Sequence, residues 1–398
     1  MSTLCFISVT FEPHRGIRGK CSRCRRPAPG YDRLPERPWL LVPLWGITTR
    51  FLCAPRRVHC PVHGVVVEHL PWGEGKRPVT LAIMSFLARG ARRLSWRETA
   101  RAFQTRWECV DRSVQWQVRW GLAHRPLTGV QSIGVDEIHR GKGKRADNFL
   151  TVLDQLDTHC RRLLWVGRRR TQATLRRGLA ALGPTVVSGL RFACSDLWQP
   201  YLSVLAANAG HVIHVLDRFH ITRQLNEALD NVRRAESGRL RAEGRRQARH
   251  LKHLRWKLLR RFSRVRGRAK EQLRRLLRTK LVTARAWALK DLFEHFWTYK
   301  SVRHAGAFLE FWTWRALRRR IEPMERLGRT LRGHQELILN WFRAKGEISS
   351  GAVEGLNNKL RVVTRRAYGF RTYEAMELAL YHTLGKLPEP DELAHGFC

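Results

Sequence analysis

The chain has 398 residues, with 75 Lys and Arg against 33 Asp and Glu, for a formal net charge of +42. That much self-repulsion burdens a compact chain and calls for a polyanionic partner, with nucleic acid the first candidate. The longest run free of Asp, Glu, Lys and Arg, Leu197 to Leu216, contains Gln199, Pro200, Asn208 and two histidines, so a membrane span is excluded there. No basic stretch leads into an apolar core near the start. Nine scattered cysteines do not form a secreted disulfide framework, and a reducing cytoplasm is expected.

Up to about Glu74 the chain is rich in Pro and Arg and holds five of the nine cysteines. Cys21-Ser-Arg-Cys24 is a knuckle able to place two thiolates on one tetrahedral ion, and Cys60-Pro-Val-His63 offers a second half-site of the same spacing. The gap between the halves is long, and Cys53 and His59 compete as ligands. Apolar runs such as Trp39 to Leu44 and Val65 to Val67 predict strands around the knuckles, so residues 1–75 read as a zinc ribbon. Residues 76–128 read as helical. Ser95 with Glu98, and Thr105 with Glu108, each match a capping box at a helix start. Two capped helices joined by a short turn describe a helix-turn-helix, with a plain helical hairpin as the alternative. Val110, Val114 and Val118 would face the core. Arg97 and Arg101 on the first helix, and Arg106, Arg112 and Arg119 on the second, would reach DNA.

From Gln131 strands and helices alternate. The apolar run Ser132 to Val135 ends at Asp136, and Phe149 to Leu153 and Leu163 to Val166 follow as strands. A helix over Thr171 to Leu182 leads to a strand from Leu190 to Cys194 that ends at Asp196. A helix near Tyr201 and a strand Val212 to Leu216 ending at Asp217 complete the series. Three strands, helix, strand, helix, strand is the order of an α/β ribonuclease H-like fold, in which the first and fourth strands are neighbours. Acids at the ends of those strands would converge as oxygen ligands for Mg²⁺, a hard cation suited to phosphodiester chemistry.

Residues 221–340 show no strand signal. Between Asn231 and Lys280 there are 20 Lys or Arg against three Glu, interleaved with leucines, which predicts a large all-α insertion with a cationic surface. The aromatic residues between Trp287 and Trp314 supply a core of its own. The chain then returns, over 341–398, with a helix around Glu354. There Glu354, Asn357, Asn358 and Arg361 share one face while Leu356, Leu360 and Val363 share another. A closing helix runs from about Thr372 to Leu384.

These motifs, taken together, resemble the ISL-three family of bacterial insertion-sequence DDE transposases. The likeness runs from the Cys21/Cys24 knuckle through Leu-Ser-Trp-Arg-Glu-Thr-Ala100, Ile-Gly-Val-Asp136-Glu-Ile, Cys-Ser-Asp196-Leu-Trp-Gln-Pro-Tyr and Val-Leu-Asp217-Arg-Phe-His220 to Val-Glu354-Gly-Leu-Asn-Asn-Lys-Leu-Arg. The resemblance implies that Asp136, Asp196 and Glu354 bind two Mg²⁺ or Mn²⁺ ions as the catalytic triad in residues 129–220 and 341–398. It also implies that Asp217 and His220 are accessory, together with Asn357, Lys359 and Arg361 beside Glu354. Structural zinc on Cys21, Cys24, Cys60 and His63, double-stranded DNA as element ends and target, a homodimer or higher oligomer on that DNA, and a cytoplasmic, nucleoid-associated location complete the expectation. The alternatives are a transposase-derived DNA-binding regulator without catalysis, or a ribonuclease H-like nuclease.

Overall fold

The computed structural model describes residues 6–14, 16–139, 146–344, 347, 348, 350–366, 370 and 372–390. In chain order the elements are β1 (Phe6–Phe11), β2 (Gly30–Arg33), β3 (Arg37–Leu44), β4 (Ile47–Cys53), β5 (Arg56–Cys60), β6 (Gly64–Val67), α1 (Leu81–Ala91), α2 (Trp96–Ala102) and α3 (Trp107–His124). There follow β7 (Ser132–His139), β8 (Phe149–Gln155), β9 (Arg162–Arg168), α4 (Gln172–Leu182), α5 (Pro184–Ser188), β10 (Phe192–Ser195), α6 (Gln199–Asn208) and β11 (Ile213–Leu216). The remainder is helical: α7 (Arg218–Ala242), α8 (Gln247–Leu258), α9 (Gly267–Leu277), α10 (Val282–Phe293), α11 (Val302–Arg318), α12 (Glu322–Gly333), α13 (Gln335–Arg343), α14 (Ser350–Arg366) and α15 (Tyr373–Leu384). The chain divides into two compact units, residues 1–126 with 360–398, and residues 127–359.

In the first unit two three-stranded sheets, β1-β4-β3 and β2-β5-β6, precede the helices. Ser95 caps α2 with a complete capping box, its side chain accepting from the Glu98 N–H and the Glu98 side chain accepting from its own. The second expected box does not form. Gln104 takes a left-handed φ of 50°, and the Thr105 N–H donates to the Ala100 carbonyl, so Thr105 closes α2 instead of opening α3. Helix α3 starts one residue later, at an Arg106 that makes no side-chain cap bond. Val110, Val114 and Val118 are buried as their spacing predicts, and Arg97, Arg101, Arg106, Arg112 and Arg119 are exposed. The last helix and the residues after it, expected with the second half of the α/β part, group with this unit. An added Cβ on Gly121 of α3 would come within 2.6 Å of the Leu387 side chain, and Glu389 accepts from Arg89 and Arg92 at 3.0 and 2.9 Å.

The second unit is built on a five-stranded mixed sheet of order β11-β10-β7-β8-β9. Strands β7, β8 and β9 form an antiparallel meander, while β10 is parallel to β7 and β11 is parallel to β10. One face carries Ile133, Val135, Leu153 and Ala193 against Leu175, Leu179 and Tyr201 of α4 and α6. The other carries Leu156, Phe192, Cys194 and Val215 against Ala344, Ile348 and Leu356. Strand β7 runs three residues beyond Asp136, because its pairing with β8 continues from Val152 opposite Asp136 to Phe149 opposite His139. Helices α7 to α13 enclose a separate core around Trp287, Phe293, Phe296 and Trp312, all essentially inaccessible to solvent.

Candidate active site and candidate metal centre

Parallel pairing sets Phe192 opposite Ser132 and Cys194 opposite Gly134. Carried two residues further, that register brings Asp196 level with Asp136, on strand paths that lie ~4.8 Å apart. Asp136 is buried and accepts from the Glu137 N–H at 2.7 Å. Asp196 lies just past β10 and accepts from the Trp198 N–H at 3.0 Å. Asp217 follows β11, where its own N–H donates to the Ser195 carbonyl at 2.9 Å and its carboxylate caps α7 through the Phe219 N–H at 2.8 Å. The three acids therefore lie level with one another across adjacent strands, Asp136 within β7 and Asp196 and Asp217 just past β10 and β11. Burial pushes the Cys194 thiol well above its usual range, and the negative charges of Asp217 and Asp136 push it further.

His220 Nε2 lies 3.6 Å from Asp217 Oδ2, while its Nδ1 is 2.9 Å from the Arg223 guanidinium. A guanidinium only donates, so Nδ1 is the acceptor and the ring proton on Nε2 faces the carboxylate. Glu354 and Asn357 fall on α14, but their side chains lie outside the described residues. The helix is seated on the sheet by Leu356, 4 % exposed and packed with Leu156, Phe192, Cys194 and Val215. Lys359 and Arg361 on the same helix are exposed.

Sequence reasoning missed Arg170. Its guanidinium meets Glu137 Oε1 at 3.0 Å and Asp196 Oδ2 at 3.1 Å, and stacks 4.2 Å from the centre of the Trp198 ring. Strand alternation turns Glu137 away from Asp136, but the bridge through Arg170 ties it to Asp196. Burial and then the charge of Asp196 push Glu137 up to about 8. Asp154, across the sheet and fully buried, is pushed up to about 8 by burial and then by Asp136, and its Oδ1 has no hydrogen-bond partner among the described residues. This excess of carboxylate over local cation suits hard divalent ions.

In the first unit Cys21, Cys24, Cys60 and His63 bring their ligand atoms within 4.8 Å of one another. Cys21 Sγ is 3.7 Å from His63 Nδ1, Cys24 Sγ is 3.7 Å from Cys60 Sγ, and Cys60 Sγ is 3.5 Å from His63 Nδ1. A tetrahedral ion with bonds of ~2.1–2.3 Å has edges of about 3.4–3.8 Å, so the four atoms fit a zinc-sized centre. Both knuckles turn tightly, Arg25 at φ 61° after the first pair and Gly64 at φ 67° after the second. Backbone donors of the knuckle, Cys24 first, hold the Cys21 thiol at about 6. Cys53 is excluded from this cluster, since it is buried with Trp39 and Leu70.

A mixed sheet with acids on and just past its parallel strands is joined to a strongly cationic helical body. The comparisons with known proteins supply the class: a sequence profile of the ISL-three DDE transposases, described as a transposase, matches residues 133–380. The chain belongs to that family. It is 28% identical over 403 residues to the transposase for insertion sequence element IS1557 from two strains of Mycobacterium tuberculosis, covering 95% of this chain and 88% of each relative. It is 26% identical over 321 residues to the transposase for insertion sequence element IS1001 from Bordetella parapertussis, covering 80% of this chain and 77% of the relative.

Proposed function

We propose that the protein cuts DNA at the ends of its insertion sequence and joins the freed 3′-hydroxyl to target DNA, in a catalytic domain of ribonuclease H-like topology. The carrying observation is the β7/β10 register, which levels Asp196 with Asp136 on the sheet face where α14, the helix of Glu354, is seated. The strand order, with a meander followed by two parallel strands, supports the topology. Asp136, Asp196 and Glu354 would hold Mg²⁺ or Mn²⁺. Those ions, when bound, supply the positive charge that activates an attacking oxygen and steadies a leaving one. Arg223 fixes His220 in one tautomer, its Nε2 proton facing Asp217 beside the site, and Lys359 and Arg361, exposed on α14, attract the DNA backbone. Zinc on Cys21, Cys24, Cys60 and His63 would set the shape of the N-terminal ribbon. The exposed arginines of α2 and α3 would read the terminal repeats as a helix-turn-helix. Cutting two ends together favours a dimer on DNA.

The test is cleavage of end-bearing DNA in Mg²⁺ by Asp136→Asn, Asp196→Asn and Glu354→Gln, with Glu322→Gln, 67% exposed on α12, as control. Each triad variant loses several kcal/mol of transition-state stabilisation, roughly 10³-fold in rate, and keeps end binding within about twofold. Near wild-type cutting by all three would leave a DNA-binding protein without this active site.

A further inference from the structure

A cleft of about 580 Å³ lies at the start of α7, lined by Arg218, Phe219 and Thr222 together with residues from the segment between α8 and α9 and from α10. Its size falls in the roughly 300–1,000 Å³ range of small-ligand sites. The first residue of its wall, Arg218, follows Asp217 directly, so the cleft begins beside the end of β11, where Asp217 caps α7.

The lining has two chemistries. One is cationic: Arg218, Arg260, Arg261, Arg264 and Lys290 face a lone acid, Glu294. Arg261 and Lys290 both pair with Glu294, whereas Arg218, Arg260 and Arg264 have no ion-pair partner among the described residues. Burial lowers the pKa of Arg218, and the neighbouring Arg261 lowers it further, which marks a site with surplus positive charge. Lys290, 1% exposed, donates to the Leu259 and Arg260 carbonyls at 3.3 and 3.2 Å and fixes the turn that carries these arginines. The other chemistry is aromatic. Phe219 is 46% exposed at the mouth, and Trp297 lies under Arg218, 5.6 Å from ring centre to guanidinium. Guanidinium groups pair with phosphate oxygens, and an exposed ring offers a face on which a base stacks.

We propose that this cleft takes up one unpaired nucleotide of the bound DNA, its phosphate held by Arg218, Arg260 and Arg264 and its base stacked on Phe219. Taking one nucleotide out of the duplex next to the acids would expose the neighbouring phosphodiester to them. The inference rests on the transposase reading above and deepens it by naming a subsite.

The experiment compares binding of the full-length protein to two end-bearing duplexes, one fully paired and one with a single unpaired thymine at the element junction. An unpaired base has no pairing left to break, so wild-type protein binds that duplex about tenfold more tightly. Phe219→Ala erases that preference and leaves affinity for the paired duplex within about twofold, while Arg264→Gln erases it and weakens binding to both duplexes. Both positions are exposed, and circular dichroism confirms that the variants fold. Thymidine 5′-monophosphate as competitor separates a DNA-borne nucleotide from a free one. The proposal is overturned if wild-type protein shows no preference, if both variants keep it, or if the free nucleotide binds the cleft while the duplexes bind alike. End-specific cutting without the preference would sink the subsite and spare the transposase reading. Failure to bind either duplex would sink both.

Discussion

Among the described residues Arg170 is the one cation that pairs with both Glu137 and Asp196, and neither acid lies close to it in sequence. Its side chain is 23% exposed, against 15% for Glu137 and 12% for Asp196. Removing one member of such a buried set strands the opposite charge, whereas removing both members costs less. Arg170→Met is therefore expected to lower stability by about 3 kcal/mol, and the Arg170→Met/Glu137→Gln pair to recover part of that loss, since Asp196 still lacks its cation. A denaturant double-mutant cycle measures the coupling; strict additivity would show that the bridge does not form. His214 offers a pH reading at the same scale. Half-buried on β11, it is pushed down to about 4 by desolvation, and its Nε2 lies 2.7 Å from Ser195 Oγ. Its folded pKa is below the unfolded value of 6.5, so the unfolded chain binds the extra proton between those limits. The stability linked to neutral His214 is complete above pH 6.5 and is lost as pH falls towards 4, by up to ~3 kcal/mol. His214→Gln should flatten that part of the stability–pH curve relative to wild type, measured by urea unfolding.

At the scale of elements, α2 and α3 start from similar sequence signals and end up with different caps. Ser95→Ala removes a complete capping box and should cost about 1 kcal/mol, while Thr105→Ala should cost clearly less because that side chain caps nothing. Thermal melts of the two variants decide between them, and equal losses would restore the second box. The knuckles are elements of another kind, short turns that are unstable without an ion at their centre. Cys21→Ser or His63→Ala should release zinc and loosen β2, β5 and β6, with chelator doing the same to wild type, whereas Cys53→Ala should leave the metal content unchanged. Elemental analysis of the purified full chain reads both outcomes.

For the whole molecule the dominant fact is charge, but not all of it faces solvent. Arg233, 7% exposed, pairs with Asp230 at 2.7 Å, and Glu236, 5% exposed, accepts from the Val282 and Thr283 N–H groups of α10. These charges hold the helical body together. Arg249, Lys252 and Arg268 on α8 and α9 are exposed. If each neutralises a phosphate, replacing all three by Gln should reduce the slope of log K against log salt by roughly 2–3, with the fold intact. An unchanged slope in filter-binding titrations would show that α8 and α9 do not lie along DNA.

Much of this was legible in the sequence because it is local. The i, i+4 spacing of Val110, Val114 and Val118, the apolar runs that end near Asp136 and Asp196, and the two-residue gaps within each Cys/His pair depend only on the geometry of a turn, a strand or a knuckle. The capped start at Ser95, the succession of strands and helices along the chain and the strand-free insertion follow from the same short-range periodicities. Three features were decided by tertiary structure. Cys53 and Cys60 lie seven residues apart, and only the pairing of β5 with β2 and β6 puts one in the Cys/His cluster and leaves the other beside Trp39. Strand alternation assigned Glu137 to the far face but said nothing of an arginine 33 positions later reaching around to join it to Asp196. The grouping of residues 360–398 with 1–126 hangs on Leu387 fitting against Gly121 and on Glu389 meeting two arginines about 300 positions away. Register, burial and long-range ion pairs are properties of the whole packed chain, so no window of sequence contains them.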